Sequence, residues 1–214
     1  MKNFSGKVVW VTGASAGIGE ALVKAFAKKG AKVVLSARRE EEMKRVQKEA
    51  GLNDTNSLII PIDLVHFEEI EPAIAKIKQK FSVIDVLVCN AGVSQRSLVK
   101  DTMLEVDRKI MELNYFSVIA LTKKVLPGMI ARKEGHIVVI SSVMGKMSIP
   151  LRSAYCASKH ALHGFFDALR SEVFKDNIKV TVICPGYVKT NVSVNAITGN
   201  GETHGKMEEG QNDG

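Results

Sequence analysis

A chain of 214 residues, 45% hydrophobic and 25% charged, is sized for one soluble globular domain with a single good core. Three cysteines, Cys89, Cys156 and Cys184, form no C-x-x-C pair and leave an odd count. This argues against a disulfide framework and for a reducing, cytoplasmic compartment. No apolar run reaches the ~18 residues of a membrane span, so no transmembrane segment is expected. Met1–Lys7 passes straight into a strand pattern, unlike a signal peptide. The net charge is +7 and the pI about 9.3, but the lysines are spread among glutamates and no aromatic-interleaved basic stripe occurs. Nucleic-acid binding is therefore not expected; a phosphate-bearing cofactor suits the charge better.

Lys7–Thr12 reads as a strand. The loop Gly13-Ala14-Ser15-Ala16-Gly17-Ile18-Gly19 follows, then helical spacing over Glu20–Lys29 that stops at Gly30. Strand, glycine loop and helix are the context of a dinucleotide site: glycines let backbone N–H groups approach a pyrophosphate, and the helix N-terminus supplies positive potential. Ala31–Ser36 is the second strand, and Ala37-Arg38-Arg39 follow with no acid before Glu40. An acid there would hold the ribose 2′-hydroxyl of NAD; arginines suit the extra phosphate of NADP. NADP is expected over NAD.

Glu40–Ala50 is a charged amphipathic helix, and Ser57–Ile62 the third strand, followed by Asp63-Leu64. Asp63 can accept from an adenine amino group or cap the helix expected over residues 67–81. Val83–Cys89 is the fourth strand, and the small residues of Asn90-Ala91-Gly92 leave room for a flat ligand. Residues 101–132 read as a long helical region kinked near Pro127-Gly128, with Asn114 in an apolar stretch. His136–Ser141 is the fifth strand, Ser142 opens the loop beyond it, Tyr155–Phe174 is helical, and Ile178–Cys184 is a sixth strand closed by Pro185-Gly186. From Asn191 the chain turns polar and glycine-rich and reads as a mobile substrate loop or tail over 191–214, leaving residues 1–190 as the nucleotide-binding domain.

Strands alternating with helices predict an α/β fold, a parallel sheet doubly wound into a three-layer α/β/α sandwich. Ligands lie beyond the carboxyl ends of such strands, where all these polar positions fall. In Tyr155-Cys156-Ala157-Ser158-Lys159 a phenol and an ammonium share one helix face. A lysine charge about 4 Å away would favour the phenolate by roughly 4 kcal/mol, about three pKa units. Such a tyrosine could exchange a proton near pH 7, as carbonyl/alcohol redox chemistry requires.

Together, the Thr12–Gly19 loop, Asp63, Asn90-Ala91-Gly92, Asn114, Ser142, Tyr155-x-x-x-Lys159 and Pro185-Gly186 resemble the short-chain dehydrogenase/reductase family, from Lys7 to about Thr190. Cys89 departs from the asparagine the family usually places there. The resemblance implies a Rossmann fold and a small carbonyl or alcohol substrate. It also implies a tetrad in which Tyr155 is the acid/base, Ser142 polarises the substrate oxygen, Lys159 binds the nicotinamide ribose and Asn114 holds a water. Val188 and Thr190 would contact the carboxamide, and the assembly would be a homodimer or homotetramer. Family members run on through a further helix and a seventh strand, so this sequence is expected to stop within the substrate-covering segment. A non-catalytic nucleotide-binding module on the same fold is the competing reading. Ser142, thirteen residues before Tyr155, favours the enzyme.

Overall fold

The structure, a computed structural model, describes residues 4–188, 190 and 192–206. Six strands, β1 (Val8–Thr12), β2 (Lys32–Ala37), β3 (Ser57–Pro61), β4 (Val86–Cys89), β5 (Gly135–Ile140) and β6 (Ile178–Ile183), form one sheet in the order β3-β2-β1-β4-β5-β6. Every pairing is parallel, with Val9 opposite both Val33 and Val86, and Ile137 opposite both Leu87 and Val180. Strands of such a sheet are covered on both faces, so they read as unbroken apolar runs. β1 and β4 are buried at every position.

The two-residue period sorts these side chains into two cores. Val8, Trp10, Leu87, Cys89, Ile137 and Val139 face α3 (Ile70–Phe81), α5 (Ser117–Arg132) and α6 (Ser153–Glu172). Val9, Val11, Val33, Leu35, Val86 and Val88 face α1 (Gly17–Ala27) and α2 (Glu40–Glu49). Trp10 is fully buried, and its indole N–H donates to Ser36 Oγ at 2.7 Å, so no buried donor is orphaned there. The strand order reverses between β1 and β4, which places the ligand crevice at their carboxyl ends.

Three expectations need correction. The long helical region is α4 (Leu104–Met111), a π-helical turn over Glu112–Phe116, and α5; its interruption is this turn, while Pro127 lies inside α5. α5 continues past the proline with Val125 and Met129 buried on either side. The helix after Asp63 starts with a 3-10 turn whose N-cap position is His66, and the Asp63 carboxylate accepts from the Val65 amide, so Asp63 does not cap it. The supposed polar tail is packed where it is described: Ala196 and Ile197 are buried, and Ile197 joins a small core with Val106, Ile110 and Ala154. Residues 207–214 of that expectation lie outside the described residues.

Candidate active site

The carboxyl ends of the strands enclose a cleft of about 820 Å³. All the candidate site residues singled out in the sequence line it except Gly19 and Asn114. Its lining includes the glycine turn (Gly13, Ser15, Ala16, Gly17, Ile18), Arg38, Arg39, Asp63 and Leu64. The same cleft is lined by Asn90, Ala91, Gly92, Ser142, Tyr155, Lys159, Pro185, Gly186, Val188 and Thr190.

The glycine turn closes because β1 and β4 are stitched at their ends. Thr12 Oγ1 accepts from the Asn90 and Ala91 amides at 3.0 and 3.2 Å, and Asn90 Nδ2 donates to Thr12 O at 3.0 Å. Gly13 has φ +65°, and a Cβ on it would stand 2.8 Å from Asn90 Nδ2. A Cβ on Gly19 would stand 2.1 Å from Gly13 O, so Gly19 serves the tightness of the turn and does not face the cleft. The turn delivers the N-terminus of α1, whose first residues, Gly17 and Ile18, line the cleft, an arrangement that suits a pyrophosphate. Side-chain-free space at the turn, the helix terminus and nearby guanidinium groups all fit a dinucleotide.

Arg38 and Arg39 follow β2. Arg39 Nη2 lies 3.4 Å from Ser15 Oγ, and the exposed Arg38 guanidinium lies 4.0 Å from Asp63 Oδ2. Asp63 Oδ1 also accepts from the Val65 amide at 3.4 Å, a local turn that holds its carboxylate at the cleft edge.

Asn114 is buried beneath the cleft, with its side chain spent on protein partners. Oδ1 accepts from Val93 N at 2.9 Å, while Nδ2 donates to Val93 O at 2.9 Å and to Ser158 Oγ at 3.0 Å. Ser158 Oγ in turn donates to Tyr155 O at 2.7 Å. The π turn thus clamps the chain after β4 to the helix that carries Tyr155.

Ser142 Oγ accepts from Met144 N at 3.1 Å, leaving its own proton free to donate into the cleft. Lys159 is buried, donates to Ile140 O at 2.9 Å and lies 5.7 Å from the Tyr155 ring centre. Burial pushes its ammonium down to about 8. Tyr155 is pushed above the usual phenol value by burial, opposed by the Ser142 hydroxyl and the Arg152 charge. The expected three-unit lowering by Lys159 is therefore corrected. Burial dominates the Tyr155 shift and Lys159 adds no lowering to it, because Nζ turns to Ile140 O and away from the assumed approach of about 4 Å to the phenol. Cys89, at the end of β4, is raised by burial to about 12, so it is an inert core thiol.

Two functional residues carry no motif. Gln95, fully buried, accepts through Oε1 from the amides of Ala154 at 2.8 Å and Tyr155 at 3.4 Å, capping the start of α6. Its backbone also forms a bridge with Ile197. Arg152, three residues before Tyr155, is buried against Ser94 Oγ and Gln95 O and lines the cleft. A glutamine and an arginine outside the periodic segments give no signal; only the fold brings Gln95 to the start of α6.

A doubly wound sheet of this order, with a glycine turn at its switch point and Tyr155 and the buried Lys159 in the same cleft, defines a dinucleotide-using dehydrogenase. Residues 7–200 match the short chain dehydrogenase family. The chain belongs to that family, whose oxidoreductases use NAD(P). A "Dehydrogenase/reductase SDR family protein 7-like" of Anopheles gambiae is 50% identical over 212 residues, 97% of this chain and 67% of its own length. "Dehydrogenase/reductase SDR family member 7B" of Mus musculus is 49% identical over 205 residues, 94% of this chain and 64% of its own length. Member 7 of Homo sapiens is 49% identical over 197 residues, 90% and 58%. The chain thus spans about two thirds or less of the length of these relatives. A solved short-chain dehydrogenase from Streptomyces avermitilis superposes with a TM-score of 0.82 at 35% identity, covering 87% of this chain and 68% of that one. Among the described residues no helix is long and apolar enough to cross a membrane.

Proposed function

We propose that this chain interconverts a carbonyl compound and its alcohol with an NADP preference, Tyr155 being the acid/base. The observation that carries the reading is that Tyr155, Ser142 and Lys159 share one cleft with the glycine turn and two arginines, while Ser142 acts on the Tyr155 hydroxyl. When bound, the nicotinamide supplies or takes up the hydride. In the reducing direction the Tyr155 hydroxyl donates its proton to the carbonyl oxygen and Ser142 hydrogen-bonds that same oxygen. In the oxidising direction the phenolate takes the proton back. A phenol raised by burial stays protonated near neutrality, which is the form the reducing direction uses, whereas the oxidising direction needs the phenolate. Lys159, held at about 8, is still about nine-tenths charged at pH 7 and can bind a ribose hydroxyl.

The preference for NADP rests on Arg38 and Arg39 at the end of β2, where no carboxylate precedes Glu40. A panel of ketones and aldehydes, read by loss of nicotinamide absorbance, tests the reading. NADPH should be consumed with at least one of them, and faster than NADH. Binding of both cofactors with no consumption across the panel would overturn it.

A further inference from the structure

We propose that His163 is a positioning residue for the nicotinamide end of the cleft, fixing the three elements that deliver Ser142, Lys159 and Pro185. The proposal rests on the reading that this end of the cleft takes the nicotinamide half. His163 lies one helical turn beyond Lys159 on α6 and is nine-tenths buried. Its Nε2 is 3.3 Å from Ser141 Oγ and 3.5 Å from Cys184 Sγ. Ser141 directly precedes Ser142 at the end of β5, and Cys184 directly precedes Pro185 at the end of β6. Ser141 Oγ also donates to the backbone oxygen of Lys159 at 3.4 Å. One imidazole nitrogen therefore holds the ends of two strands against the helix turn that carries Lys159.

The surroundings leave this contact little slack. A Cβ on Gly145 would stand 2.7 Å from Ser141 Oγ and 2.9 Å from His163 Cδ2, so the loop after Ser142 closes directly on the imidazole. Burial, aided by Lys146, lowers the His163 pKa, with Asp167 opposing. The ring is then neutral at pH 7; with the Ser141 proton given to Lys159 O, Nε2 either donates to Ser141 Oγ or accepts from the Cys184 thiol, according to its tautomer. His163 does not line the cleft and touches no reacting atom; it acts through Ser141, Cys184 and Lys159.

The test compares two probes of different reach in the full chain. NADPH spans the whole cleft, whereas 2′,5′-ADP carries only the adenosine half and its phosphates. His163→Leu removes the nitrogen, and His163→Gln keeps a polar atom near the place of Nε2. The Leu variant should lose about tenfold in NADPH affinity, as for one lost hydrogen-bonded contact, while 2′,5′-ADP binding stays within about twofold. The Gln variant should recover most of the NADPH affinity. If Leu weakens both probes equally, or neither, the proposal is overturned. It is also overturned if Gln, folded to the same melting temperature as the unmodified chain, binds NADPH no better than Leu. An unmodified chain that binds 2′,5′-ADP but not NADPH would overturn the parent reading, and this proposal with it.

Discussion

Replacing Lys159 by methionine isolates the cost of burying an ammonium under the active site. The lysine is depressed by burial from 10.5 to about 8, a span of 2.5 units. At about 1.36 kcal/mol per unit this is roughly 3 kcal/mol of instability at neutral pH. The direction follows from proton counts: between about 8 and 10.5 the unfolded chain holds a proton that the folded chain has released. Stability of the unmodified protein therefore rises with pH through that window, by about 2.5 kcal/mol between pH 7 and 10. The methionine side chain has a stem of similar length but forfeits the bond to Ile140 O, worth about 1 kcal/mol. The Lys159→Met variant should thus be more stable by about 2 kcal/mol at pH 7, and the advantage should vanish by about pH 10. Urea denaturation followed by circular dichroism at each pH measures the difference. Parallel pH profiles for the two proteins would refute the reasoning, because the lysine would then not carry the burial cost.

Other predictions concern the remaining parts of the cleft. Arg38→Ala should weaken NADPH by about 1.5–3 kcal/mol while leaving NADH nearly unchanged, as titration by nicotinamide fluorescence would report; equal losses would remove the basis for an NADP preference. Gln95→Leu should destabilise the fold by about 2–4 kcal/mol in urea, since it strands the buried Ala154 and Tyr155 amides at the start of α6. Alcohol oxidation should rise with pH beyond neutrality, because burial holds the Tyr155 phenol above its usual value and the phenolate is the base; a flat profile from about pH 7 to 10 would speak against a phenolate base.

The fold and most of the cleft were legible because their signals are local. Unbroken apolar runs such as V-V-W-V-T and V-L-V-C mark buried parallel strands, and the polar motifs sit at their carboxyl ends, where the topology must gather them. The π turn at Glu112–Phe116 was not legible, because E-L-N-Y-F contains no glycine or proline. It is the clamp of Asn114 on Val93 that accompanies the extra residue. Pro127 misled for the opposite reason: a strong breaker signal is overridden in a long helix anchored on both sides of it. The segment after residue 191 has too few apolar residues to show a period. Over its described residues, 192–206, it is held by backbone pairing of Ile197 with the chain beside Gln95 and by the single buried Ile197 side chain, neither of which makes a periodic pattern. The electrostatics of the Tyr155–Lys159 pair were misjudged because spacing gives proximity on a helix face but not burial, and burial decides the sign here.

The measurement that reaches the central claim is turnover of Tyr155→Phe with a carbonyl compound identified in the screen, alongside NADPH affinity. The substitution removes only the hydroxyl, so the fold and the affinity should be kept while turnover falls by several orders of magnitude. Ser142→Ala should fall less, by about a hundred- to thousandfold, because the proton path survives the loss of one polarising donor. Near-normal turnover of Tyr155→Phe with intact NADPH binding would contradict the assignment of Tyr155 as the acid.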